Sequence, residues 1–133
     1  MATGFTNSKA SEILRSVIDS STYIALSTTT PEKAGSGSGF TEPSAATGYA
    51  RAQMGDLNTS ISAQVANKNI IFICECVQDM GTVTHVGLCS AKTGSPFLFA
   101  ELVPSLEISA GYVPLIRANK LIIGLDVDAI REY

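Results

Sequence analysis

A chain of 133 residues with 45% hydrophobic residues and a net charge of −3 has room for one domain around one core. Lys and Arg nowhere cluster, Trp is absent, no apolar run reaches the roughly 20 residues that span a bilayer, and the first residues lack the basic and apolar blocks of a signal peptide. Nucleic-acid and membrane partners are therefore not expected, and the chain is expected to be made and kept in the cytosol or assembled there. Charged residues make up 16%, against roughly 25% in an average domain, so part of the surface is predicted to be covered, most simply by further copies of the chain.

Residues 8–19, "SKASEILRSVID", place Ala10, Ile13, Leu14, Val17 and Ile18 on one helical face, with Ser8 as candidate N-cap and Glu12 early in the helix. Three turns do not hold alone, so this stripe must pack on the domain or on a neighbour. Residues 1–21 thus read as an N-terminal arm with a short helix, and 22–133 as a β-domain. Its strands are expected in "TYIALS" (22–27), "YARAQM" (49–54), "NIIFICECV" (69–77), "TVTHVGLCSA" (82–91), "PFLFAELV" (96–103), "SLEIS" (105–109), "YVPLIRA" (112–118) and "KLIIGLDV" (120–127). The 69–77 run is nearly all apolar, as in a strand buried on both faces or covered at an interface, and would put Cys74 and Cys76 on one side of it. "KTGS" between 91 and 96 predicts a hairpin, and Pro114 predicts an edge or a bulge. The tail "DAIREY" fits either a helical turn or an extended arm. Short strands at near-regular spacing without helical crossovers predict an all-β antiparallel sandwich, jelly-roll-like, with one N-terminal helix.

Between the first two strands runs a long loop, 29–48, rich in Gly, Ser, Thr and Pro. Its glycines do not form a phosphate cradle, because no helix and no Lys-Ser or Lys-Thr follow them. A loop this long in a small domain is either functional or flexible. At its end, Arg51 stands on a strand of small residues; it either pairs with an acid such as Glu42, pinning the loop, or lies solvated. The single histidine, His85, has no partner at zinc or triad spacing and reads as packed and hydrogen-bonded. The three cysteines read as reduced, small hydrophobes. No cofactor, metal site or catalytic set is predicted.

Ala25-Leu26 in the first strand, Glu42-Pro43 in the loop, Gly48 to Arg51 and the strand Thr84 to Gly87 occur in an order that resembles a group of small bacteriophage virion proteins commonly labelled phage tail fibre proteins. The resemblance spans roughly 22–127, with Met80 near the place where such proteins often carry Trp. It implies a non-enzymatic virion structural protein. The leading expectation is a capsid decoration (cement) protein that self-associates, as a trimer, and binds the major capsid protein or other virion proteins; the alternative is a tail-fibre or baseplate component touching the host surface. A carbohydrate-binding or hydrolytic sandwich ranks behind both. The residues expected at partner contacts are Phe5, Ile13, Leu14 and Val17 on the N-terminal segment, and Phe40, Glu42, Tyr49 and Arg51 on the loop and its exit.

Overall fold

The computed structural model describes residues 6–32, 39–61 and 63–124. The helix α1 covers Asn7–Val17. Its N-cap is Thr6, not Ser8: the Thr6 hydroxyl accepts from Lys9 N, and the cap lies two residues earlier than expected. Glu12 lies beyond the first turn and pairs instead with exposed Lys9 at 3.3 Å. Ala10, Ser11 and Leu14 are buried, as is Ile18 just past the helix, whereas Ile13 is half-buried and Val17 exposed. The stripe packs next to a strand at 64–67, and Ser11 Oγ accepts the Ala63 N–H at 2.7 Å, a buried bond that fixes the helix on the sheet.

Among the described residues, nine strands form three antiparallel sheets, and these residues are all-β apart from α1 and one 3-10 turn. The largest sheet has the order β2 (Ala52–Gln53), β1 (Tyr23–Ser27), β6 (Gly81–Cys89), β7 (Leu98–Ile108). The second has the order β3 (Leu57–Asn58), β4 (Gln64–Asn67), β9 (Ile122–Gly124), and the third pairs β5 (Ile71–Phe72) with β8 (Leu115–Ile116). One apolar cluster joins them: Leu14 and Ile18 from the helix end, Ile24 and Leu26 from β1, Val65, Ile71, Val83, Leu88, Ile108 and Ile123.

Several expectations need correction. The apolar run 69–77 is a strand only at Ile71–Phe72. Beyond it the backbone is extended but irregular, with Ile73 and Cys76 N–H groups donating to Pro114 and Tyr112 carbonyls and Val77 N–H to Thr47 O. Phe72 and Val77 are exposed, and Cys76 is buried while Cys74 is half-buried. The run is covered on one side only. The two strands expected at 96–103 and 105–109 are one strand, β7, with a slip in its middle: Val83 faces Leu106 but His85 faces Glu101. Four β7 residues, Leu102 to Ser105, therefore stand opposite Thr84 alone, a wide bulge built around Pro104, which has no N–H to give a ladder. β3 and β4 fall in a stretch, 55–68, where no strand was expected. The tail from 125 onward lies outside the described residues. The hairpin of β6 and β7 is present, although Leu88 already pairs with Leu98, so its connection is longer than "KTGS". Pro114 directly precedes the edge strand β8.

Candidate functional site

The stretch after the loop is shaped by three small devices. Pro43 is buried. Ser44 then caps a 3-10 turn over Ala45–Thr47: its Oγ accepts Ala46 N–H, and Thr47 Oγ1 donates to its carbonyl at 2.6 Å. Gly48 ends the turn at φ +92, where a Cβ would sit 2.2 Å from the Glu75 carbonyl oxygen, so only glycine lets the two segments close up. From there the chain is extended, and alternation sends Tyr49 and Arg51 to the same side, back toward Glu42.

The result is a clamp. Arg51 Nε donates to Glu42 Oε1 at 2.7 Å and Nη2 to Oε2 at 3.0 Å, a fork-on-fork pair. Tyr49 OH donates to Glu42 Oε1 at 2.6 Å and accepts the Leu26 N–H at 3.1 Å, which ties the pair to β1. Arg51 also reaches the loop after β6, donating from Nη1 to Ala91 O at 2.9 Å and from Nη2 to Gly94 O at 2.6 Å. One guanidinium, its side chain 6% exposed, thus ties its own stretch of chain to the loop at Glu42 and to the segment 91–94. Next to the clamp, the half-buried Phe40 ring lies over Gly87 of β6, where an added Cβ would meet Phe40 Cε2 at 2.8 Å and Pro96 Cβ at 3.0 Å.

The electrostatics follow from this geometry. Burial pushes the Glu42 carboxyl up, but bonds from Arg51 and Tyr49 and the Arg51 charge outweigh it, and the group is held below the usual carboxylate range. Burial, reinforced by donation to an anion, pushes the Tyr49 hydroxyl far above its ordinary value. The Glu42 hydrogen bond raises Arg51 further, so it stays charged. A carboxylate fully engaged and held ionised, beside a phenol that keeps its proton, is suited to holding rather than to proton transfer. Away from the clamp, His85 is buried, with Nδ1 2.8 Å from Thr84 Oγ1 and its ring edge-to-face with Phe99. Burial raises the Cys74 and Cys89 thiols, and all three cysteines are free. Among the described residues, no group of three His, Cys, Asp or Glu is placed to hold a metal ion.

Of the two sequence readings of Arg51, the structure has the paired one, with Glu42 as the acid. It brings Phe40, Glu42, Tyr49 and Arg51 together at one end of the large sheet. Ile13, Leu14 and Val17 lie apart from them on α1, with Leu14 inside the chain's own core, and Phe5 lies outside the described residues. The carbonyls of Ala91 and Gly94 were not foreseen, because a backbone acceptor leaves no mark in a sequence.

The match to known families covers this arrangement. The family model of the podophage GP4 fiber I protein gp80 matches residues 13–124, which takes in both halves of the clamp and every described strand. The chain belongs to this family. It is therefore a bacteriophage fibre-type virion protein, as the motifs 25–26, 42–43, 48–51 and 84–87 implied. The family match backs the fibre alternative better than the capsid-decoration reading that ranked first on sequence. A comparison with curated proteins found no match.

Proposed function

We propose that the chain is a non-enzymatic component of the phage tail fibre, assembled in the host cytoplasm and carried into the virion. The observation that carries this reading is the fibre-family match over 13–124. The clamp supports it. Its groups are locked in hydrogen bonds and hold the stems of two loops, 39–51 and 90–97, on the end of a sheet. That is how a contact module presents loops on a rigid support. The test is to locate the protein in intact virions with antibodies raised against the folded domain. Gold label on the tail is the expected result. Label spread over the head, with a bare tail, refutes the tail assignment and restores the capsid-decoration reading.

A further inference from the structure

β7 is the last strand of the large sheet, and no described strand pairs with its outer edge. Beside its C-terminal half runs a shallow groove walled by Leu106, Tyr112, Val113 and Leu115. Phe72 stands directly across from Leu115 in the small sheet, 62% exposed, and extends the same apolar surface. No charged side chain lines the groove. Three residues from Leu106, at the crest of the bulge, Val103 is 84% exposed, more than any other large apolar residue described.

We infer that this face binds a second copy of the same chain, with Val103 of each copy seated in the apolar groove of another. Three observations point to a copy of this chain. An exposed apolar side chain, Val103, stands on β7 three residues from Leu106, where the same strand forms one wall of the apolar groove, and a two-fold contact between identical copies uses one patch that carries both. Its area fits: at their observed exposures Phe72, Val103, Leu106, Tyr112, Val113 and Leu115 offer on the order of 600–700 Å², most of the about 800 Å² per partner that a stable interface buries. The low charge of the whole chain is of the kind that buried interfaces show. The contact is between side chains and not a continued β-ladder. Pairing two β7 strands about Pro104 would set Glu101 against Glu107, like charges face to face, at a residue without an N–H.

The test is the mass of the full chain in solution, by light scattering and sedimentation over about 1 to 100 μM, where interfaces of this size form. The expected result is a concentration-dependent mass above one copy. Val103→Asp and Leu115→Glu, both on exposed side chains, each raise the dissociation concentration at least about tenfold. Val103→Ser shifts it the same way by less, and guards against a variant that unfolds. Ile61→Asp, on an exposed residue away from the patch whose exposure lies between those of Val103 and Leu115, leaves it unchanged. A wild-type chain at single-copy mass throughout overturns the inference. So does association only in the company of a different virion protein, or an Ile61→Asp shift as large as that of Val103→Asp. Each of these results leaves the tail assignment untouched.

Discussion

Replacing Arg51 with alanine tests the clamp directly. The side chain makes four hydrogen bonds, two to one carboxylate and two to the carbonyls of Ala91 and Gly94. Bonds involving charged groups contribute about 1.5–3 kcal/mol each when buried. Here Ala91 and Gly94 are exposed, so water replaces the guanidinium there at little cost. Glu42 keeps Tyr49 as a donor and is 29% exposed, so it rehydrates in part. Arg51→Ala should therefore cost about 2–3 kcal/mol, below the 3–5 kcal/mol of a fully buried broken pair. For a domain of this size that is a fall in Tm of about 6–15 °C. Arg51→Lys keeps the charge but not the fork, and should lose about half as much. Thermal melts followed by circular dichroism give the stability. Limited proteolysis should show new cuts in 39–48 and 90–97, the segments the guanidinium ties down. Combined with Glu42→Gln, the double variant should be less damaged than the sum of the singles, by about 1–2 kcal/mol. An Arg51→Ala protein that melts within about 2 °C of wild type, or losses that simply add, would refute the clamp.

Acid should weaken the same contact. The Glu42 pKa is lowered in the folded chain, so its stabilisation is complete above the unfolded carboxylate value and is lost as pH falls through the folded one. Urea titrations from neutral pH downward should show wild type losing stability below about pH 4.5, with a shallower loss for Glu42→Gln. Gly48→Ala should cost more than about 2 kcal/mol, because φ +92 and the Glu75 carbonyl both reject a Cβ; chemical denaturation reads this. Gly87→Ala should displace the Phe40 ring from β6 at a cost of about 1–3 kcal/mol, and faster proteolysis between 39 and 42 reports it. Asn67→Ala should cost about 2–4 kcal/mol in the same denaturation assay. The residue is fully buried, and its side chain bonds the Asn69 and Arg117 carbonyls and the Leu121 N–H, all at 2.9 Å.

The first strand and β6 were legible because their patterns are strong: "YIAL" and "TVTHVGLC" are long enough to show burial along a strand. The run 69–77 misled for a physical reason. Apolar content predicts a strand buried on both faces or covered at an interface, but only Ile71–Phe72 is a strand, the chain itself covers one side, and Phe72 and Val77 face outward. β4 was invisible because "QVAN" is four residues with one β-former, and its partners β3 and β9 are no longer. What makes it a strand is tertiary: Ser11 of α1 pinning Ala63, and Asn67 bonding to segments about fifty residues away. The two strands expected at 96–109 are one because a bulge on an edge absorbs Pro104, a possibility that spacing alone does not distinguish from a turn. At the clamp, charge partners at a separation of nine were legible, since an arginine among small residues asks for an acid. Its two carbonyl partners were not.

The hydroxyl-rich composition just after β1 now has a specific physical role. Ser27 is fully buried at the end of the strand, and its Oγ donates to Thr29 O while accepting the N–H groups of Thr29 and Thr41. Thr28 N–H reaches Thr41 O, and Thr29 Oγ1 donates to Gly39 O. The bonds to Thr41 and Gly39 cross from one stem of the loop to the other, and those between Ser27 and Thr29 tighten the first stem. They satisfy backbone groups that the ladder of β1 no longer pairs, which a buried strand end requires. A long segment of small polar residues beside a core is thus not simply soft. The stems are hydrogen-bonded to each other by Ser and Thr, locked to the sheet by Phe40 on Gly87, and tied to a second loop by Arg51. A charged side chain in place of Ser27 would be buried there and could not stand in for a hydroxyl that donates to one backbone carbonyl and accepts two backbone N–H groups. Part of the chain's low charge is therefore a local requirement of closing this loop. The remainder, on the groove beside β7, is what bears on association, and the two can be separated by measuring melting temperature and mass on the same variants.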